Sequence, residues 1–131
     1  MAERESTLVP GIERSDEFTV EDRLVTSVGG TIGASVLSTP GMISMMEASA
    51  TALAYEHLPE GRATVGFEVC IKHVAAAAEG ATCRARATLR EIVDGRKLRF
   101  DVEVVEGERT IGFGTHERRF VDFGQLGSPA T

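Results

Sequence analysis

The chain has only two cysteines among its 131 residues, Cys70 and Cys83. Two thiols cannot build the disulfide framework of a small secreted domain. Both fall in apolar, alternating stretches, which reads as buried thiols in a reducing compartment. Positive charge is scarce too: 14 Lys and Arg stand against 20 Asp and Glu, a net charge of −6, with no basic cluster. Binding phosphate backbones takes concentrated positive charge, so the balance argues against a nucleic-acid surface. No apolar run approaches the ~18 residues of a membrane span. The amino terminus, Met1-Ala-Glu-Arg-Glu-Ser-Thr7, lacks the basic-then-apolar order of a signal peptide. Internal repeats and low-complexity blocks are missing as well. What is present is ordinary, 42% hydrophobic and 26% charged residues. A chain of this length forms one domain that buries roughly 65–70% of its unfolded surface. These bounds describe a small, acidic, cytoplasmic domain.

Residues 1–15 are polar, carry Pro10 and Gly11, and read as a flexible arm. Phe18 to Val25 alternates imperfectly and predicts a first strand. Residues 26–38 are rich in Gly and Ser and read as a loop of about a dozen residues, a length often tied to function. Thr39-Pro40 marks a helix start, with Thr39 as hydroxyl cap and proline at the first helical position. Met42, Met45, Met46, Ser49, Ala50, Leu53, Ala54 and His57 then recur at helical spacing until Pro59-Glu60-Gly61 stops the helix near Leu58. Small residues on several of its sides predict an enclosed helix that lets other backbone come close.

Past residue 61 the period becomes two. Ala63, Val65, Phe67, Val69 and Ile71 share one face, opposite Thr64, Glu68 and Lys72. Cys83, Ala85, Ala87 and Leu89 alternate with Arg84, Arg86, Thr88 and Arg90. Asp94-Gly95 signals a hairpin, and Leu98 to Val104 alternates in turn. The last strand, Thr110 to Phe123, changes phase between Phe113 and Phe120, which places a bulge near Gly114. The tail 124–131 reads as flexible. One helix and five strands make an α+β domain, with the helix on one face of a curved antiparallel sheet. Such a sheet keeps a free edge, and a free edge invites a second copy.

Three polar residues stand out against this frame. His73 continues the apolar series 63 to 71, and Glu47 sits mid-helix after Met45-Met46. A carboxylate on an enclosed helix costs several kcal/mol unless paired or neutralised. Thr39 opens the helix, whose first amides and dipole suit a developing oxyanion. A Glu and a His are the pair that general acid–base chemistry needs. Thr39 and Glu47 are about 12 Å apart along the axis, so a substrate, a water or the His73 ring would lie between them. The plain alternatives are a core histidine bonded to a carbonyl, a solvent-facing glutamate and a simple cap.

Other polar residues carry less. His57 ends the helix, where a cation suits the dipole, and His116 lies on the last strand. The histidines 57, 73 and 116 show no zinc-like spacing, so no metal is expected. Nothing near either cysteine would activate its thiol. Arg84, Arg86 and Arg90 read as a solvated strand face that could instead meet the phosphates of a nucleotide-tailed substrate.

The segments Ser38–Glu47, Val65–His73 and Ile111–Arg118 resemble the hotdog fold and, within it, the fluoroacetyl-CoA thioesterase-like family. The likeness covers residues 16–123. It implies a long central helix wrapped by a curved five-stranded antiparallel sheet, and a homodimer whose sheets join near the active sites. It implies Thr39, Glu47 and His73 as catalytic residues, matched without a gap. Gly66 and Arg118 would line the acyl site, Arg118 after one extra residue in the hairpins. The implied reaction is hydrolysis of an acyl-CoA thioester, with no cofactor beyond the CoA of the substrate. The loop at 26–38 holds no bulky aromatic, so the fluorinated substrate is not carried over and a short-chain acyl-CoA is expected, with discrimination of fluoroacyl groups left open. Two alternatives stay open: a hotdog 3-hydroxyacyl-CoA dehydratase, and a non-catalytic module binding acyl-CoA or a small ligand.

Overall fold

The computed structural model describes residues 6–122. Residues 1–5 of the arm, Phe123 and the tail 124–131 lie outside the described residues. In chain order the elements are β1 (Glu13–Thr19), a 3-10 turn (Asp22–Leu24), β2 (Val25–Thr26), β3 (Val36–Leu37) and α1 (Thr39–His57). Then follow β4 (Arg62–His73), β5 (Thr82–Val93), β6 (Lys97–Glu106) and β7 (Arg109–Asp122). The main sheet is antiparallel, in the order β1-β5-β6-β7-β4, and one long helix packs against it. This is the α+β hotdog arrangement.

The core lies between α1 and the inner sheet face. Met42, Met45, Met46, Ala50, Leu53 and Ala54 of the helix meet Ala85, Ala87, Leu89, Leu98, Phe100, Val102 and Val104. At Asp94-Gly95 both residues take positive φ, 55° and 62°, as a two-residue primed turn requires.

Several expectations shift. β1 begins at Glu13 and ends at Thr19 rather than running from Phe18 to Val25. The arm expected over residues 1–15 is tied down at its inner end. Leu8 is buried, and the Thr7 amide donates to the His57 carbonyl at 3.0 Å. The loop at 26–38 carries a short ladder, β2 against β3. Its closure brings the Ser38 amide to the Leu24 carbonyl and sets the start of α1 against that turn. Gly41 is required there, since a Cβ would stand 2.6 Å from the Leu24 carbonyl oxygen.

The cap is Ser38, not Thr39. Ser38 Oγ accepts the Gly41 amide at 2.9 Å, and Thr39 is already helical. Ser38→Ala is expected to cost about 1 kcal/mol of unfolding free energy, whereas Thr39→Ala should leave the denaturation midpoint near wild type. Denaturant melts of the two variants check this.

The strands slip at three places. The β4–β7 register shifts between Gly66 and Glu68, β5–β6 between Leu89 and Glu91, and β6–β7 between Val104 and Val105. The last strand therefore bulges at Ile111, and Gly114 pairs regularly with Ile71 and Val102. Gly114 is glycine because a Cβ would lie 2.2 Å from the Cys70 carbonyl oxygen. On β4 the extra residue is Phe67, and a one-residue slip exchanges the faces. Val65 and Phe67 are consequently exposed rather than facing the core, and Cys70 is exposed while Cys83 is buried. Burial pushes the Cys83 thiol above its usual range.

The helix is covered on one side only. Ser44, Ala48, Thr51 and Tyr55 stay exposed, so α1 is not enclosed within one chain. β1 meets it through polar contacts: Ser49 Oγ donates to Asp16 Oδ2 at 2.7 Å, and Arg14 bridges Asp16 and Glu56. The Arg14 guanidinium, helped by Ser49, holds the Asp16 carboxyl below its ordinary 3.8. A carboxyl lowered on folding gives stability that is complete above the unfolded value and lost as pH falls through the folded one. Asp16→Asn should abolish that acid-side loss in a series of urea midpoints against pH.

Candidate active site

A cleft of about 710 Å³ opens between the uncovered face of α1 and β4, with Glu47, Gly66, Thr64, Tyr55, Arg23 and Arg118 among its walls. Glu47 projects from the middle of the helix, its side chain 42% exposed. Its Oε2 lies 3.7 Å from Arg118 Nη1 and 4.0 Å from His116 Nε2. Gly66 faces the same oxygen, and a Cβ there would approach it to 2.9 Å. Arg118 and His116 come from the inner face of β7, where register pairs them with Gly66 and Val69 of β4. The β4 bulge turns Gly66 inward and makes this meeting possible.

Arg118 is fastened on three sides. Its Nε donates to Thr64 Oγ1 at 2.8 Å, its Nη2 to the Thr64 carbonyl at 3.0 Å, and its Nη1 to His116 Nε2 at 3.2 Å. Burial lowers its pKa, and the Glu47 carboxylate works against that. His116 is pushed below the ordinary 6.5, first by burial, with the Arg118 charge adding to it and the Glu68 carbonyl and Glu47 opposing.

Thr39 and His73 form a second pair. Thr39 Oγ1 and His73 Nδ1 stand 2.8 Å apart. His73 is thus bonded to a hydroxyl, not to a core carbonyl, and its buried Nε2 has no protein partner. Ser38 takes the Gly41 amide and Pro40 has none. Of the first three helical positions, only Thr39 keeps an amide free for an oxyanion.

Within one chain the two pairs stay apart. Thr39 is about 12 Å from Glu47 along the helix axis. His73 lies four residues past Val69, the register partner of His116, which is about 13 Å along a strand. Glu47, Gly66 and Arg118 meet; Thr39 and His73 meet elsewhere.

The remaining residues go their own ways. Arg86 pairs with Glu103 and Arg90 with Asp101, on the sheet face away from the helix, which leaves them a solvated face. His57 bonds Thr7, so the three histidines have separate surroundings. Among the described residues no cluster of metal-ligating side chains occurs. No helix there is long and apolar enough to cross a membrane.

Comparison with known proteins fits this geometry. The profile of the fluoroacetyl-CoA-specific thioesterase family, FlK, matches residues 20–123. The chain belongs to the FlK family of hotdog-fold thioesterases. The fluoroacetyl-CoA thioesterase of Streptantibioticus cattleyicolor is 35% identical over 86 residues, 66% of this chain and 61% of that protein. The matched part thus spans about 61% of that curated relative. A crystallised FlK variant in complex with fluoroacetate and CoA aligns with a TM-score of 0.81 at 25% identity, covering 91% of this chain and 99% of the other. A thioesterase superfamily member from Thermus thermophilus aligns at 0.80 and 24% identity, over 90% and 87% of the chains, and supports the fold.

His116 is the residue that sequence reasoning passed over. The signal was available. Side chains two apart on a strand share a face, so placing Arg118 in the site also places His116 there.

Proposed function

We propose that the protein hydrolyses a short-chain acyl-CoA thioester to the free acid and CoA. The observation that carries this is the Glu47 carboxylate in an open cleft, facing Gly66 and beside a buried Arg118, in a chain of FlK family membership. Glu47 takes the proton of an attacking water, or itself attacks the carbonyl carbon and is then released by water. The carbon–sulfur bond breaks, and the thiolate receives its proton through His73. Thr39 orients the His73 ring and offers its hydroxyl and amide to the thioester oxygen. No cofactor takes part beyond the CoA of the substrate. Assayed by thiol release over acyl-CoAs of rising chain length, turnover should be highest for the short chains. Hydration of crotonyl-CoA without thiol release would replace this reading with a dehydratase. Binding without either reaction would replace it with a ligand-binding module.

The working unit in this proposal is a homodimer. β4 pairs only with β7, so its other edge, twelve residues long, is open among the described residues. Long bare edges are rare in stable monomers. Beside this edge Tyr55 and Phe67 are 70% and 58% exposed. Antiparallel pairing of two β4 edges about an axis between Val69 and Cys70 would set Gly66 opposite the partner's His73. The Glu47 cluster of one chain and the Thr39–His73 pair of the other would then share one cleft. Light scattering at micromolar concentration should give twice the chain mass.

A further inference from the structure

His116 is 2% exposed, lines a hollow with Glu47 and Gly66 beside the cleft, and has no part in the hydrolysis proposed for Glu47 and His73. Both ring nitrogens have partners that fix their roles. Nδ1 lies 2.8 Å from the Glu68 carbonyl oxygen, which can only accept, so Nδ1 carries the proton. Nε2 lies 3.2 Å from Arg118 Nη1, which can only donate, so Nε2 keeps its lone pair. The ring is therefore the uncharged Nδ1–H tautomer. Burial acts in the same direction, holding its pKa below the ordinary value.

Three strands hold this ring in place. The Glu68 carbonyl follows the β4 bulge, the same irregularity that turns Gly66 toward Glu47. Phe100 of β6 stacks with the imidazole, centroids 6.3 Å apart and planes 29° apart. Facing the ring are Glu47 from α1, Arg118 from its own strand and Glu68 from β4. Glu117, next to it in sequence, is bonded by Arg99 and Arg119.

We propose that His116 is a positioning residue: by accepting Arg118 Nη1 at Nε2, it sets where the guanidinium stands against the Glu47 carboxylate. The other two Arg118 bonds go to Thr64, so Nη1 is the corner that turns toward Glu47, and it stops at 3.7 Å. With the Nε2 acceptor removed, that corner swings onto the carboxylate in a direct contact pair. A carboxylate gripped this way is a weaker base and a weaker nucleophile. The proposal rests on the hydrolytic reading of the site and adds one residue to it.

Imidazole ¹⁵N NMR on the intact protein reads the lock without any substrate. At neutral pH Nδ1 should be protonated and Nε2 unprotonated, and Arg118→Met should move the Nε2 resonance while leaving Nδ1. An Nε2–H ring or an imidazolium would overturn the proposal. Kinetics read the consequence. His116→Leu should lower kcat about 10- to 100-fold, by analogy with the loss of a residue that orients a metal ligand, with KM little changed. His116→Gln, whose amide oxygen restores an acceptor, should recover most of the loss. In an Arg118→Met background, His116→Leu should cost little more. Losses that multiply, or no rescue by Gln, would make His116 a packing residue only. Wild-type protein releasing no thiol from any acyl-CoA would instead defeat the hydrolytic reading, and the NMR would still decide the lock.

Discussion

Glu47→Gln is expected to lower kcat by about 10²–10⁴, the range typical of a lost acid–base group, while acyl-CoA binding is largely kept. The substitution preserves shape and removes only the charge. The fold should tolerate it well, because the side chain is 42% exposed and Gln keeps its volume. Arg118 loses a neighbour at 3.7 Å but keeps its two bonds to Thr64 and its bond to His116. The melting temperature should therefore stay near wild type, so lost turnover reports chemistry and not unfolding. A glutamate that merely favours a helix surface makes the opposite prediction, because Gln is nearly as good a helix former. Thiol release at saturating acyl-CoA, with the melt measured in parallel, separates the two. Full turnover in the variant would remove the mechanism proposed for Glu47.

What the sequence made legible were features set by neighbours along the chain. The helix limits follow from Pro40 at its start and Pro59-Gly61 at its end, and the observed helix stops at His57. The Asp94-Gly95 turn follows from the left-handed conformations these residues tolerate. Features set by register were legible only in part: the phase change of the last strand signalled a bulge, which lies at Ile111 rather than near Gly114, and nothing signalled the bulge on β4. A bulge is one extra residue with no residue type of its own, yet at Phe67 it exchanges the faces of β4. That single slip exposes Val65 and Phe67 and aims Gly66 at Glu47. The choice of cap was equally hidden, because Ser38 and Thr39 carry the same hydroxyl. Only the path of the chain past Leu24 decides that Ser38 stays outside the helix. The candidate site divides in the same way. The residue pattern singled out Thr39, Glu47 and His73 and the resemblance added Gly66 and Arg118, but neither sorted them into two separate clusters. That sorting depends on an axial distance and a strand register.

The sorting yields the second large effect. Glu47→Gln and His73→Ala should each be nearly inactive alone, His73→Ala through loss of the proton route to the leaving thiolate. Unfolded together and refolded as a mixture, they are expected to regain about one quarter of wild-type activity. The figure follows from a two-fold dimer with composite sites. Random pairing makes half the dimers mixed, and each mixed dimer has one site of two built from an intact Glu47 and the partner subunit's intact His73. If all three residues of a site came from one chain, every site in the mixture would carry a substitution, and activity would stay at the level of the single variants. The distances within one chain favour the composite arrangement, with about 12 Å of helix and about 13 Å of strand between the clusters. Recovery on mixing, absent when either variant is refolded alone, would establish that each cleft takes Glu47 from one chain and His73 from the other. No recovery from a mixture shown by mass spectrometry to contain mixed dimers would confine the site to a single chain, and the reach from Glu47 to His73 would then have to be spanned by the substrate.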